Sequence, residues 1–205
     1  MRKALIIGGV LVGLLLLVGI GLAGSFVERR NTMVQQKEAI EAAWAQVDTV
    51  IQRRADLVPN LVETVKGFAA QEREVFSNIA EARAALGGAR TPSERIGAND
   101  MLSGALSRLL VVVENYPALR SNQNFIRLQD ELAGTENRIA VERRKYNETV
   151  QQYNTYIQLF PNNFVAGLGG FEREDAYFRT TEEARQAPPV VSFSPEDPAP
   201  AAKDE

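Results

Sequence analysis

A twenty-residue stretch from Thr135 to Asn154 carries many of the side chains that could do chemistry. Its sequence, TENRIAVERRKYNETVQQYN, combines carboxylates, guanidinium groups, amides and two phenols, with apolar residues only at wide intervals. Helix bundles build metal sites from carboxylates on facing helices. One hypothesis is therefore a carboxylate site for Mg²⁺ or Ca²⁺ that uses Glu72, Glu136 or Glu142. A related hypothesis is a hydrolytic enzyme that uses paired carboxylates for acid–base work.

The composition of the chain argues against most enzyme chemistry. Its 205 residues include no histidine and no cysteine. The chain therefore cannot build a Ser-His-Asp or Cys-His nucleophile, or a zinc site with His or Cys ligands. The net charge of -3 argues against a dedicated nucleic-acid binder, which needs a basic face. We accordingly predict no catalytic residue, no metal site, no cofactor and no nucleic-acid partner.

The polar stretch is better explained as one helix of a bundle. Apolar residues at spacings of three and four form its seam, and Thr135 and Glu142 are polar residues at seam positions. A buried carboxylate without a partner is costly. We therefore expect Glu142 to meet an arginine or a hydroxyl from another helix, and we interpret Thr135 and Glu142 as a polar layer that fixes helix register. The basic clusters Arg53-Arg54 and Arg143-Arg144-Lys145 are interpreted as solvated helix charges.

The same apolar spacing runs from about residue 31 to residue 160 and predicts four long helices. Caps and helix breakers mark their ends: Asp56 ahead of Pro59, Gly87-Gly88, the capping box Thr91-Pro92-Ser93-Glu94, Asn115-Tyr116-Pro117, Ser121-Asn122 and Phe160-Pro161. Short connections make successive helices antiparallel. We predict an all-α fold, with an N-terminal transmembrane helix and an antiparallel up-down-up-down four-helix bundle over residues 31–160. Pro59 leaves open whether Ala55–Val58 is a turn or a kink in one very long helix.

Residues 1–30 are predicted to anchor the chain in a membrane. Ala4–Val27 has no charged residue and exceeds the roughly 20 residues that a helix needs to cross the hydrocarbon core. The alternative is a cleaved signal peptide, with Gly21 and Ala23 before the cut, although its apolar region normally runs only about 7–15 residues. The Arg2-Lys3 pair mildly favours a bundle on the extracytoplasmic side.

The anchor also offers a surface for contact between helices. Gly9 and Gly13 form a GxxxG spacing, which lets helix backbones approach closely in lipid. Glycine is common in membrane helices, so a chance match is the alternative. Gly9 and Gly13 are therefore candidate residues for transmembrane helix packing.

Residues 161–185 follow the bundle as an apolar, glycine-rich loop and a short segment. An up-down-up-down order returns the end of the fourth helix to the membrane. We therefore predict that four apolar residues touch the bilayer interface or a neighbouring subunit's anchor: Phe164, Val165, Leu168 and Phe171. The equally weighted alternative is that they cover the open end of the bundle's own core. Residues 186–205, rich in proline and acidic side chains, are predicted to form a disordered tail.

Several motifs together resemble the LemA family of bacterial membrane-anchored proteins. They are Ala43-Trp44-Ala45-Gln46, Arg53-Arg54-Ala55-Asp56-Leu57 with Pro59-Asn60-Leu61, Thr135-Glu136-Asn137-Arg138-Ile139-Ala140, Tyr146-Asn147 with Tyr153-Asn154, and Phe160-Pro161. The resemblance covers about Val27 to Phe193. Gly169-Gly170 before Phe171 departs from it, because relatives often have a bulkier residue in the first position.

The resemblance has implications for fold, location and partners. It implies a transmembrane helix followed by a helical bundle in the bacterial plasma membrane, with no established enzymatic activity. Some members of the family are connected with HtpX-type membrane metalloproteases, which makes such a protease a candidate partner. We therefore expect a non-enzymatic scaffold or adaptor that self-associates and works with a membrane protease in envelope stress or quality control. The alternative remains the carboxylate-based metal-binding or hydrolytic enzyme.

Overall fold

Every regular element of the chain is an α-helix over the residues that the structure describes. The computed structural model describes residues 2–178, with side chains from residue 6. Its helices are α1 (Arg2–Ala69), α2 (Arg73–Gly88), α3 (Pro92–Val113), α4 (Pro117–Arg120), α5 (Gln123–Gln158) and α6 (Asn162–Gly169). The predicted all-α class with an N-terminal apolar helix is confirmed. The predicted tail, residues 186–205, lies outside the described residues.

The first helix, α1, contains both the predicted anchor and the first helix of the bundle. The large apolar side chains from Ile6 to Leu22 are all exposed, as expected for a helix whose neighbours are lipid tails. Within residues 6–178, α3 is a second helix apolar enough to cross a membrane, but 44% of its apolar window is buried against the rest of the protein. We therefore interpret α1 as the membrane helix and α3 as a core helix.

The contacts between helices follow the up-down-up-down order. Helix α2 returns along α1, so that Phe76 lies beneath Lys66. Helix α3 then runs with α1, from an Arg95–Asp48 ion pair to a hydrogen bond between Tyr116 and Glu72. Helix α5 runs back along α1. Its direction is fixed by three contacts, from the top of the bundle to the membrane end: Arg54 with Glu136, Trp44 with Tyr146, and Arg29 with Asn162, just beyond α5.

The four long helices pack as two close pairs, α1 with α5 and α2 with α3. A cavity of about 490 Å³ lies between α1 and α2, beside Pro59 and Ile79. Another, of about 370 Å³, lies between α3 and α5, with Arg54 and Leu61 of α1 in its lining. We call this second space the α3–α5 cavity. The fold therefore leaves a groove on each side, where one helix pair meets the other.

The structure decides the question that Pro59 left open. Helix α1 continues through Pro59 to Ala69, and the turn comes at residues 70–72, so the predicted helix start at Asp56 is wrong. A proline inside a helix leaves the carbonyl four residues earlier without its hydrogen bond. That carbonyl belongs to the buried Ala55, and it accepts a hydrogen bond from Arg83 Nε of α2 at 3.3 Å. A neighbouring helix thus replaces the bond that Pro59 removes.

This replacement predicts a coupling between Arg83 and Pro59. Arg83→Met should lower the free energy of unfolding by about 1 kcal/mol, because it leaves the Ala55 carbonyl buried and unpaired. In a Pro59→Ala background the cost should disappear, because the N–H of residue 59 then bonds that carbonyl. A double-mutant cycle from denaturant unfolding followed by circular dichroism measures the coupling. Arg73→Met, at an exposed arginine of α2, is the control. Equal costs of Arg83→Met in the two backgrounds would contradict this account.

Candidate functional site

The end of the bundle nearest the anchor is closed by a short apolar helix. Arg29, two residues after the uncharged run of the anchor, donates to the side-chain oxygen of Asn162, the first residue of α6. Asn162 is buried and donates to the backbone carbonyl of Tyr156 in α5. One polar chain therefore ties α1, α5 and α6 together at the level where the apolar anchor ends. We call residues 159–171 the membrane-proximal cap.

The structure separates the four predicted contact residues of this cap. Val165 is buried, and Phe171 is partly buried against the core. Phe164 and Leu168 instead expose 67% and 66% of their surface, and Phe160 exposes 85%. Val165 and Phe171 thus do cover the end of the core, whereas Phe164 and Leu168 are available to a bilayer or another subunit.

Glycine at position 169 has a local reason. A Cβ added there would lie 2.8 Å from the ring of Phe171, so a larger residue would displace that ring. Gly170 has φ +68°, in the left-handed region that favours glycine, and ends α6. The Phe171 N–H then bonds back to the carbonyl of Ala166. Gly169 and Gly170 therefore fold Phe171 back against the helix end.

The polar stretch Thr135–Asn154 of α5 holds residues 172–178, the segment that follows the cap. Asn154 donates to the Glu174 carbonyl at 2.8 Å and accepts from the Glu174 N–H at 2.9 Å. Asn147 binds Phe178 in the same two-way manner, at 2.8 and 3.0 Å. Tyr153 donates to the carbonyl of Glu172 at 2.8 Å. We call Asn147 and Asn154 the asparagine clamp.

An aromatic cluster completes the clamp. Trp44 of α1, Tyr146 of α5 and Phe178 have ring centroids 5.4–6.1 Å apart. The guanidinium of Arg143 lies 4.6 Å from the Phe178 ring centroid, within the range of a cation–π contact. Burial raises the pKa of Tyr146 to about 12, with smaller contributions from Glu174 and Tyr177. The phenol is therefore neutral at physiological pH and acts as a core aromatic.

Sequence reasoning missed the role of these asparagines, although a signal was present. The Tyr-Asn pair recurs after seven residues, which places both asparagines on one face of the helix. What could not be read from spacing is that their partner would be backbone from residues 172–178. An asparagine side chain offers one donor group and one acceptor, so it matches the N–H and C=O of an extended residue.

Thr135 and Glu142 make their polar contacts within α5. Thr135 is buried, and its hydroxyl donates to the carbonyl of Leu132. Glu142 pairs with Lys145, three residues along the same helix, at 2.8 Å. The arginine or hydroxyl that we expected from another helix is therefore not the partner of Glu142. Its side chain is 21% exposed, so a lysine at the surface can reach it.

A buried polar contact between α1, α3 and α5 comes instead from Arg54, which we interpreted as solvated. Arg54 is only 6% exposed, whereas Arg53 is exposed. Arg54 Nη1 lies 2.9 Å from Glu136 of α5 and donates to Ser103 of α3 at 2.8 Å and weakly to Asn99 at 3.4 Å. We call these four residues the arginine layer. Burial lowers the pKa of Arg54, and the nearby Glu136 opposes that shift.

The arginine layer leaves both donors and an acceptor without a hydrogen bond. Glu136 Oε2 lies 2.9 Å from Arg54 Nη1 but, within residues 2–178, is buried and makes no hydrogen bond. Within residues 2–178, Arg54 Nε and Asn99 Nδ2 are buried and make no hydrogen bond. Arg54 and Glu136 also line the α3–α5 cavity, whose walls include Leu61, Leu106 and Leu132. An apolar space of this size with a few convergent polar groups has the character of a binding site.

The carboxylates considered for metal binding lie apart, each with its own partner. Glu72 accepts from the Tyr116 hydroxyl, Glu136 pairs with Arg54, and Glu142 pairs with Lys145. Over residues 2–178, no three acidic side chains are grouped in a way that could hold a metal ion.

Gly9 and Gly13 lie on the exposed part of α1. A Cβ at either position would meet nothing within 4 Å in the single chain. Both positions therefore have room for a second helix, and packing there stays a prediction.

The comparisons with known proteins place this geometry in a family. The model of the LemA family matches residues 43–193. Magnetosome protein MamQ 2 of Paramagnetospirillum magneticum is 30% identical over 177 residues, which covers 74% of this chain and 65% of the relative. MamQ of Magnetospirillum gryphiswaldense is 28% identical over 73% of this chain and 64% of the relative. Protein LemA of Metamycoplasma hominis is 25% identical over 69% of this chain and 65% of the relative.

The chain spans slightly less than two thirds of the length of these relatives. The matched region runs from the start of the aromatic cluster through α5, the cap and the clamped segment. Family membership and the apolar N-terminal helix fit a membrane-associated helical protein. The family model matches residues 43–193, which is well over half of the chain, and the chain therefore belongs to the LemA family.

Proposed function

We propose that the protein is a non-enzymatic scaffold or adaptor that self-associates, and that its helical bundle projects rigidly from the membrane. The observation that carries this proposal is the continuity of α1, which runs from the anchor into the bundle without a linker. Residues 28–69 alone extend for about 63 Å at 1.5 Å per residue. A bundle joined to its anchor in this way keeps a fixed distance and direction from the bilayer.

In this proposal each part of the chain has one mechanical role. Residues 1–30 form a single-pass anchor in the bacterial plasma membrane, with the bundle of residues 31–160 on the extracytoplasmic side. The membrane-proximal cap, residues 159–171, closes the membrane end of the bundle. Gly9 and Gly13 provide contact between anchors, because small residues let helices approach in lipid.

The membrane-proximal cap supports a second contact with the bilayer. Phe164 and Leu168 are exposed on α6, which is fastened beside Arg29 at the end of the anchor. Apolar side chains on a short helix at this level are typical of helices that lie in the membrane interface. Two contacts with the bilayer, through the anchor and through the cap, would fix the angle between the bundle and the bilayer. A single helix alone could tilt.

The cap contact predicts a specific pattern of lipid accessibility. Because the chain has no cysteine, a single Phe164→Cys or Leu168→Cys substitution can carry an environment-sensitive nitrobenzoxadiazole label. In full-length protein reconstituted into liposomes, we expect labels at both positions to be quenched by lipids with a nitroxide near the headgroup. Val111→Cys is the matched control, because Val111 is 65% exposed but lies near the end of α3, far from the anchor.

The result distinguishes the bilayer from a neighbouring subunit. Strong quenching at 164 and 168, with none at 111, would support the bilayer contact. Equal and weak quenching at all three positions, with disulfide-linked dimers through 164 or 168 after mild oxidation, would assign the cap to another subunit instead.

Self-association and partners require a separate measurement. We expect the full chain, extracted in mild detergent, to have the mass of a homo-oligomer and to yield crosslinks between copies through the anchor. Crosslinking with mass spectrometry in cells would also reveal an HtpX-type protease if it travels with the chain. A monomer without recurrent crosslinks would overturn the scaffold proposal.

A further inference from the structure

The α3–α5 cavity lies where the two helix pairs of the bundle meet, and one end of it is polar. At that end its lining includes Arg54 of α1, Ser103 of α3 and Glu136 of α5. Farther from the anchor, two turns along α1 and α3, the lining includes Leu61 and Leu110. Two turns of helix span about 10 Å. The cavity is therefore elongated, with its charged groups at one end and leucines at the other.

The cavity opens to solvent between α3 and α5. Ser107, Gln129 and Ala133 in its lining are exposed and form its rim. Leu61 and Leu106 are buried and form its floor. Its volume of about 370 Å³ falls within the range of small-molecule sites, roughly 300–1,000 Å³. A small molecule can therefore enter between the helices and bury an apolar part against the leucines.

The polar end of the cavity offers one donor and one acceptor that need a partner. Within residues 2–178, Arg54 Nε and Glu136 Oε2 are buried and make no hydrogen bond. The Nη1 group of Arg54 has two hydrogens, and it donates to Ser103 and Asn99. Neither hydrogen is therefore left for Glu136 Oε2, although that oxygen lies 2.9 Å from the same nitrogen. Buried polar groups in folded proteins almost always have a partner, so this donor and this acceptor indicate a missing one.

These two groups together select the chemistry of the ligand. A carboxylate could accept from Arg54, but the carboxylate of Glu136 would repel it. An ammonium group could donate to Glu136, but the guanidinium of Arg54 would repel it. A primary amide is uncharged and carries a carbonyl acceptor and an NH₂ donor on one planar group, so it can serve both. An apolar body attached to that amide would displace water from the leucines of the floor, which is favourable.

We propose that the α3–α5 cavity binds a small uncharged molecule with an amide head and an apolar body. The carbonyl of the head accepts from Arg54 Nε, and its NH₂ group donates to Glu136 Oε2. The apolar body lies against Leu61 and Leu106. Such a ligand contacts α1, α3 and α5 at once, so it bridges the two helix pairs of the bundle.

Protection of a single cysteine from alkylation tests this site, because the natural chain has none. Ala133→Cys places a thiol at the rim, in full-length protein reconstituted in lipid, and N-ethylmaleimide is the reagent. Hexanamide at ten times its half-protecting concentration should slow alkylation about tenfold, by mass action. Hexanoate and hexylammonium should need concentrations about tenfold higher, because each leaves one buried group unpaired. The matched control is Ala80→Cys, exposed in the cavity between α1 and α2, where hexanamide should give no protection.

A change of selectivity tests the assignment of the two polar groups. Adding Glu136→Gln to Ala133→Cys removes the repelling carboxylate, so hexanoate should then protect at about tenfold lower concentration than before. Glu131→Gln, at an exposed glutamate of α5, should leave the order of the three probes unchanged. Circular dichroism of each variant verifies that the helices are intact.

Three results would overturn the proposal. They are no protection of the thiol at position 133 by hexanamide, equal protection at positions 133 and 80, and equal potency of the three probes in the Ala133→Cys protein. Equal potency would mean that the cavity takes up apolar chains without using Arg54 and Glu136.

Discussion

The Asn154→Leu variant is expected to release residues 172–178 from α5 and to lower the free energy of unfolding by about 2 kcal/mol. Asn154 is 4% exposed and makes hydrogen bonds to both backbone groups of Glu174 and to the Tyr177 hydroxyl. Leucine has nearly the same volume but no polar group. The N–H and C=O of Glu174 must therefore either stay beside α5 without hydrogen bonds or move into water.

Hydrogen exchange of the full chain measures this release. A loss of about 2 kcal/mol corresponds to roughly a 30-fold faster exchange of the Glu174 and Phe178 amides. Asn137→Leu is the matched control, because Asn137 is exposed on the same helix. Tyr153→Phe, which removes one hydrogen bond to Glu172, should give a smaller effect in the same direction. Unchanged exchange in Asn154→Leu would mean that the aromatic cluster alone holds the segment.

Much of the fold could be predicted because its signals are local. The capping box at Thr91 and Glu94 forms as predicted, and Asn122 caps α5. Apolar residues at spacings of three and four, such as Leu102, Ile139 and Tyr153, are buried. These signals depend on spacing along one helix, which the sequence displays directly.

The rest depended on contacts between helices. Pro59 is compatible with a helix start or a helix interior, and the deciding group is Arg83, more than twenty residues away. The apolar spacing of three and four also runs through Phe68 and Val75, and on one unbroken helix it would place both residues on the buried face. The turn at residues 70–72 resets the helix phase, so that Phe76 is buried and Phe68 is exposed.

The candidate site shows the same division. A terminal apolar loop near an anchor was predictable, and its exposed residues Phe164 and Leu168 remain candidates for the bilayer. Arg54 was misjudged because its neighbour Arg53 has the same charge and only one of the two faces the core. Which arginine turns inward is set by helix phase. An inward arginine requires partners from α3 and α5, and a single-helix pattern does not specify them.

The ion pair between Arg54 and Glu136 predicts that losing the carboxylate lowers the free energy of unfolding more than losing the arginine. Glu136→Ala should lower the free energy of unfolding by about 2 kcal/mol, because Arg54 stays buried after losing its main counter-charge. Arg54→Met should cost less, within about 1 kcal/mol, because it removes the desolvation of a buried guanidinium and leaves Glu136 half solvated. In the Arg54→Met background, Glu136→Ala should have little effect.

Denaturant unfolding followed by circular dichroism measures this double-mutant cycle on the natural protein, the two single variants and the double variant. The control is Glu131→Ala, at an exposed glutamate of α5. A larger cost for Arg54→Met than for Glu136→Ala would show that the arginine layer is a net source of stability.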